Sequence, residues 1–165
     1  MDIIKELQDV VARLEHEGVD YALCGGLAMA VYAMPRATLD IDLMIQTDSL
    51  HEAGLALEPL GFSMDSAPME FHGGDIRISR FTKIDPHTRE VLVLDFLLVT
   101  EKTKPAWDSR RDFEWEGGAL RVVSPEGLIL LKDLRRSGTD QDDIDYLRSI
   151  TDEDRHEPGG HSPTA

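Results

Sequence analysis

Ile3, Ile4, Leu7, Val10, Val11 and Leu14 recur at the spacing of one helical face and predict an amphipathic helix over residues 2–16, ended by Gly18. The period then shortens. Tyr21-Ala22-Leu23-Cys24 predicts a short buried strand, Gly25-Gly26 a turn, and Leu27 to Ala33 a short helix that stops before Pro35. Over residues 39–45, Leu39, Ile41, Leu43 and Ile45 alternate with Asp40, Asp42 and Met44, the period of a half-buried strand. Thr47-Asp48 offers a cap for a helix from about 49 to 59, which Gly61 terminates.

The second half carries stronger strands. Ile76 to Phe81 predicts one, Asp85-Pro86-His87-Thr88 is turn chemistry, and Val91 to Thr100 is the most apolar strand of the chain. Residues 113–116 and 119–123 flank Gly117-Gly118 and predict a hairpin. Ser124-Pro125 opens a helix containing Leu128, Ile129, Leu130, Leu131, Lys132 and Leu134. A last helix is expected from about Asp140 to Ile150. Residues 151–165, rich in Pro, Gly, His and acids, read as a flexible acidic tail. The expected organisation is one domain over residues 1–150, with a core at about 20–123 and C-terminal helices at about 125–150.

Composition narrows the function. At 165 residues with 41% hydrophobic content, the chain is long enough for one real core. No apolar run approaches the roughly 20 residues that cross a membrane, and the amphipathic start is unlike a signal peptide. A single cysteine, Cys24, allows no internal disulfide and no Cys-based zinc site, so the cytoplasm is the expected compartment. The net charge of −15, from 32 acids against 17 bases, opposes broad DNA or RNA binding, which depends on neutralising phosphates. Docking of a single RNA end remains compatible with it. The acidic run from Asp140 to Asp154 reads first as a solvated helix face and tail.

Candidate chemistry centres on carboxylates. Strand geometry puts Asp40 and Asp42 on one face, roughly 7 Å apart. Two acids so placed suit a hard divalent cation, above all Mg²⁺, with Mn²⁺ as the alternative. Asp95 interrupts an apolar strand, and burying an unpaired charge is costly, so it calls for a metal, a basic partner or a cavity. Arg77 and Arg80 flank Ile78 and read first as surface residues, one of them facing an acceptor in the alternative. The six histidines show no zinc spacing, Cys24 reads as a small core thiol, and Gly25-Gly26 lacks the third glycine of a dinucleotide fingerprint.

Order along the chain adds a resemblance. Leu23-Cys24-Gly25-Gly26-Leu27-Ala28 is followed by Asp40-Ile41-Asp42, with thirteen residues between Gly26 and Asp40, within Arg36-Ala37-Thr38-Leu39-Asp40-Ile41-Asp42-Leu43. The lone Asp95 comes later. Over roughly residues 20–150 the chain resembles the DNA polymerase β-type nucleotidyltransferase superfamily, and within it the AbiEii-like proteins of abortive-infection and toxin–antitoxin systems. Leu131-Lys132 and Asp140-Gln141-Asp142-Asp143-Ile144-Asp145 are similar to that group's late motif. The arginine usual before its final Asp pair is out of register here, which turns attention to Arg135 or Arg136.

The resemblance implies an α/β (α+β) minimal nucleotidyltransferase fold: a short mixed sheet, helices packed behind it and a small C-terminal helical addition. It implies transfer of a nucleoside monophosphate from a nucleoside triphosphate to a hydroxyl acceptor, with two Mg²⁺ ions. Asp40 and Asp42 would bridge both ions, and Asp95 would hold the one at the acceptor hydroxyl. Gly25 and Gly26 would let backbone N–H groups approach the phosphates, with Arg36, Thr38 and Lys132 as further nucleotide contacts. Arg36 and Thr38 have plain surface and strand readings, and Lys132 could instead extend to solvent. Asp140 and Asp143, on one helix face, read first as capping or solvated groups. The expected acceptor is a tRNA end or a protein side chain, with a cognate toxin or antitoxin as partner. Antibiotic-modifying enzymes share the Gly-Gly…Arg-x-Thr…Asp-x-Asp pattern, which keeps a cationic small-molecule acceptor open. A catalytically silent nucleotide-binding or antitoxin module is the third alternative.

Overall fold

The N-terminal stripe forms as its period dictates. Helix α1 (Ile3–His16) buries Leu7, Val10, Val11 and Leu14, and Asp2 caps it by accepting from the backbone N–H groups of Ile4 and Lys5. The computed structural model describes residues 1–34, 37–116, 118–135 and 140–156. Among them lie the helices α1, α2 (Gly25–Val31), α3 (Leu50–Leu57), α4 (Lys104–Asp108), α5 (Pro125–Arg135) and α6 (Asp140–His156). The strands are β1 (Ala22–Cys24), β2 (Asp40–Ile45), β3 (Ser63–Met64), β4 (Met69–Phe71), β5 (Ile76–Ile84), β6 (Val91–Leu98), β7 (Arg111–Trp115) and β8 (Gly118–Val122).

These strands make one mixed sheet in the order β3-β5-β6-β2-β1-β8-β7, with β4 added on β5. β2 runs parallel to β6, and β1 parallel to β8; the other pairs are antiparallel. Because side chains alternate across a strand, Ile41, Leu43 and Ile45 of β2 and Leu92, Leu94, Phe96 and Leu98 of β6 are all buried. α1 packs against α3 and β2. The opposite face of β2 and β6 carries Asp40, Asp42 and Asp95. The expected mixed α/β architecture is therefore the one observed.

Local differences have identifiable causes. Leu39 is 83% exposed, so β2 begins at Asp40 and the apolar alternation counts one residue too many. Thr47 and Asp48 do not cap α3; the Thr47 hydroxyl donates to the carbonyl of Val99, 3.4 Å away. Gly25 and Gly26 are not a free turn but the first residues of α2. The short β3, β4 and α4 carried too little periodicity to be predicted. α6 continues six residues beyond the expected end at Ile150, with Thr151 buried. Residues 157–165 of the expected tail lie outside the described residues.

Candidate active site

The pairing of four adjacent strands lines up one transverse row. Arg80 on β5 lies opposite Asp95 on β6, Asp95 opposite Asp42 on β2, and Asp42 opposite Cys24 on β1. Asp40 lies two residues before Asp42 on the same face. The row borders a cleft of about 600 Å³, counted out to its open mouth, whose far wall is Leu128, Leu131, Lys132 and Arg135 of α5. Ile76, Ile78 and Leu97 provide its apolar floor.

Asp42 is held in an unusual electrostatic setting. Burial, and then the nearby charge of Asp95, push its carboxyl up to about 6; Asp40 adds to this, while Arg135 and Arg80 oppose it. Gly25 is pressed directly against it. With φ at +66°, a Cβ built on Gly25 would fall 2.7 Å from both Cβ and Cγ of Asp42. At Gly26 an added Cβ would meet Thr38 at 3.0 Å, still tight but against a different side chain. Gly25 is thus the glycine that seats the carboxylate. Burial and Asp42 hold the thiol of Cys24 well above its usual range, consistent with a core thiol.

Asp95 is 8% exposed, and it has found a basic partner. Nε and Nη2 of Arg80 donate to its two carboxylate oxygens, each at 2.8 Å, a two-pronged charge-assisted pair. Arg80 is exposed, as its surface reading expects, but its head group is also the partner of Asp95. The hairpin itself held the signal: four equal steps outward from Ile84 and Val91 reach Arg80 and Asp95. Arg77 points to the other face and pairs with Glu70 at 3.2 Å.

The remaining predicted residues divide. Thr38 bonds the backbone of Asp40, accepting from its N–H at 3.4 Å and donating to its carbonyl at 3.2 Å, so it braces the start of β2. Lys132 is largely withdrawn from solvent. Its side chain is 12% exposed and its Nζ lies 2.6 Å from the carboxylate of Asp143, itself 1% exposed, joining α5 to α6 at the cleft. The capping or solvated reading of Asp143 is corrected with it. Arg135 lines the cleft beside Asp42. Arg36 and Arg136 lie outside the described residues, as does the side chain of Asp140.

Hard oxygen donors and mutual repulsion between Asp42 and its acidic neighbours suit Asp40 and Asp42 to a divalent cation. Asp95 is committed to Arg80 in this arrangement. Among the described residues no three His, Cys, Asp or Glu side chains converge closely enough to hold a metal, and no helix is long and apolar enough to cross a membrane.

No family model and no curated protein matches this chain. Solved structures do. The lincosamide antibiotic adenylyltransferase LnuA, with lincomycin bound, is 20% identical over 88% of this chain and 96% of its own, with a TM-score of 0.58. ANT(2'')-Ia, in complex with adenylyl-2''-tobramycin, is 14% identical over 94% and 92%, with a TM-score of 0.63. TM1012 of Thermotoga maritima, assigned as a nucleotidyltransferase, is 16% identical over 92% and 94%, with a TM-score of 0.61. At these identities the likeness is one of fold, and the chain has the nucleotidyltransferase fold of LnuA and ANT(2'')-Ia.

Proposed function

We propose that this chain is a cytoplasmic, Mg²⁺-dependent nucleotidyltransferase that moves a nucleoside monophosphate from a nucleoside triphosphate to a hydroxyl acceptor, releasing pyrophosphate. The carrying observation is the face shared by Asp40, Asp42 and Asp95, with Asp42 and Asp95 paired across β2 and β6 at the edge of a cleft. In this reading Asp40 and Asp42 hold the metal, which when bound neutralises the phosphates and polarises the α-phosphoryl group. Asp95 would hold a cation at the acceptor hydroxyl and help its deprotonation. Lys132 and Arg135 lie where they offset triphosphate charge, and Ile76, Ile78 and Leu97 offer an apolar surface to a ring. Gly25 leaves room for the Asp42 carboxylate.

A small, hydroxylated, cationic acceptor is the favoured class. The net charge of −15 attracts cations and opposes RNA, and two fold neighbours carry antibiotic-derived ligands. A tRNA-end or protein acceptor, within a toxin–antitoxin system, is the second reading. It draws on the meeting of Lys132 with Asp143, two positions of the late motif shared with AbiEii-like proteins.

The test is incubation with each α-labelled nucleoside triphosphate, Mg²⁺, and separately tobramycin, lincomycin, total tRNA or cell-extract protein. Label is expected in an antibiotic, is abolished by EDTA, and is lost in Asp42→Asn. Label in tRNA or protein would transfer support to the second reading. Undiminished transfer by Asp42→Asn would overturn the site, and nucleotide binding without transfer to any acceptor would leave a binding module.

A further inference from the structure

We infer that Arg80 is a positioning residue that competes with the divalent cation for Asp95, so that the metal-binding face is complete only when Arg80 moves away. The inference rests on the function proposed above. Both oxygens of Asp95 are engaged by the Arg80 fork at 2.8 Å, and strand register places the two residues directly opposite each other. A cation shared by Asp42 and Asp95 would lie beside the guanidinium, where like charges oppose one another. Asp95 thus serves one cation or the other.

The two partners differ in their freedom to move. Asp95 is buried in mid-strand, and leaving it unpaired is costly. The Arg80 side chain is 43% exposed, so its head group reaches water on one side. Asp65 lies alongside: its N–H donates to the Arg80 carbonyl at 3.2 Å, and its carboxylate accepts from the Thr82 hydroxyl at 2.6 Å. Arg80 can release its head group to water on its exposed side when a cation takes over Asp95. Its fork also matches the phosphates of an arriving nucleotide. In the absence of both, Arg80 keeps Asp95 paired and held in place on the face of the sheet.

The experiment is Mn²⁺ titration of the full chain without nucleotide, reading free Mn²⁺ by electron paramagnetic resonance. Arg80→Gln is expected to bind Mn²⁺ about tenfold or more tightly than wild type. Arg77→Gln, which removes an equal charge from the opposite face of β5, is expected to bind as wild type does. Equal or weaker binding by Arg80→Gln overturns the inference, and so does an equal gain in Arg77→Gln, since charge alone would then explain it. If Arg80→Gln does not fold, Arg80→Lys decides: it keeps the charge, loses the fork and is expected to bind about threefold tighter, with no gain counting against the inference. Asp42→Asn separates the two levels. If it leaves Mn²⁺ binding intact, the proposed function fails; if it abolishes binding while Arg80→Gln changes nothing, only the competition fails.

Discussion

Gly25→Ala puts the seating of Asp42 to the test. The backbone at Gly25 has φ of +66°, a left-handed conformation that costs an L-residue roughly 1–2 kcal/mol. The new Cβ would sit 2.7 Å from Cβ and Cγ of Asp42, about 1 Å inside the optimal carbon–carbon separation. The backbone of Asp42 cannot retreat, because β2 is paired with β1 on one side and β6 on the other. The side chain must rotate instead, at about 0.5–1.5 kcal/mol. The expected loss of stability is about 2–3 kcal/mol, read as a lowered urea midpoint with unchanged slope. Displacing a reacting group by about 1 Å costs on the order of 100-fold in rate. Gly18→Ala is the comparison: φ is +70°, nothing lies within 4 Å, so it should lose only the roughly 1 kcal/mol of backbone strain and keep full transfer. A folded Gly25→Ala protein with kcat/KM within about threefold of wild type would refute the reasoning.

Two further outcomes follow from buried charge. Asp42 has a folded-state pKa of about 6, above the ordinary 3.8, so the folded chain holds this proton more tightly than the unfolded one. Its contribution is therefore lost as pH rises from about 4 to 6, and above 6 Asp42→Asn should be more stable than wild type by about 3 kcal/mol; urea melts at pH 4, 5 and 7 that show no such divergence would contradict this. Lys132→Met removes one charged partner of the buried Asp143 and should cost about 1–3 kcal/mol, part of it recovered in the double variant Lys132→Met/Asp143→Leu; equal melts for the single and double variants would show that the pair is not what couples α5 to α6.

Much of the site was legible in the sequence because its parts are local. Asp40 and Asp42 share a face by the two-residue period of any strand, and the apolar surroundings of Asp95 announced that it needed a partner. The partner itself was not read. Arg80 reads as a surface residue and is exposed, but the alternation along β5 does not say what lies across the hairpin. Lys132 likewise sat in a leucine-rich helix with solvent as a plausible destination, until α6 brought Asp143 against it. Thr38 reads as a nucleotide contact or a plain strand residue, and its hydroxyl bonds the backbone of Asp40 at the point where the strand starts. Leu39 shows the limit from the other side, since alternation counts apolar residues but cannot say where strand pairing begins.

Sequence alone determined the period of each main element, the common face of Asp40 and Asp42, the amphipathic first helix and the glycines ahead of the acidic strand. These depend on the spacing of residues a few positions apart, which helix and strand geometry fix without reference to the rest of the chain. Tertiary structure decided which residues face one another. Parallel pairing of β2 with β6 sets Asp42 beside Asp95, antiparallel pairing of β5 with β6 delivers Arg80 to that same carboxylate, and the path of β1 into α2 presses Gly25 onto Asp42. Those contacts join residues 15 to about 50 positions apart, and their register is set by how whole strands bury their apolar faces together.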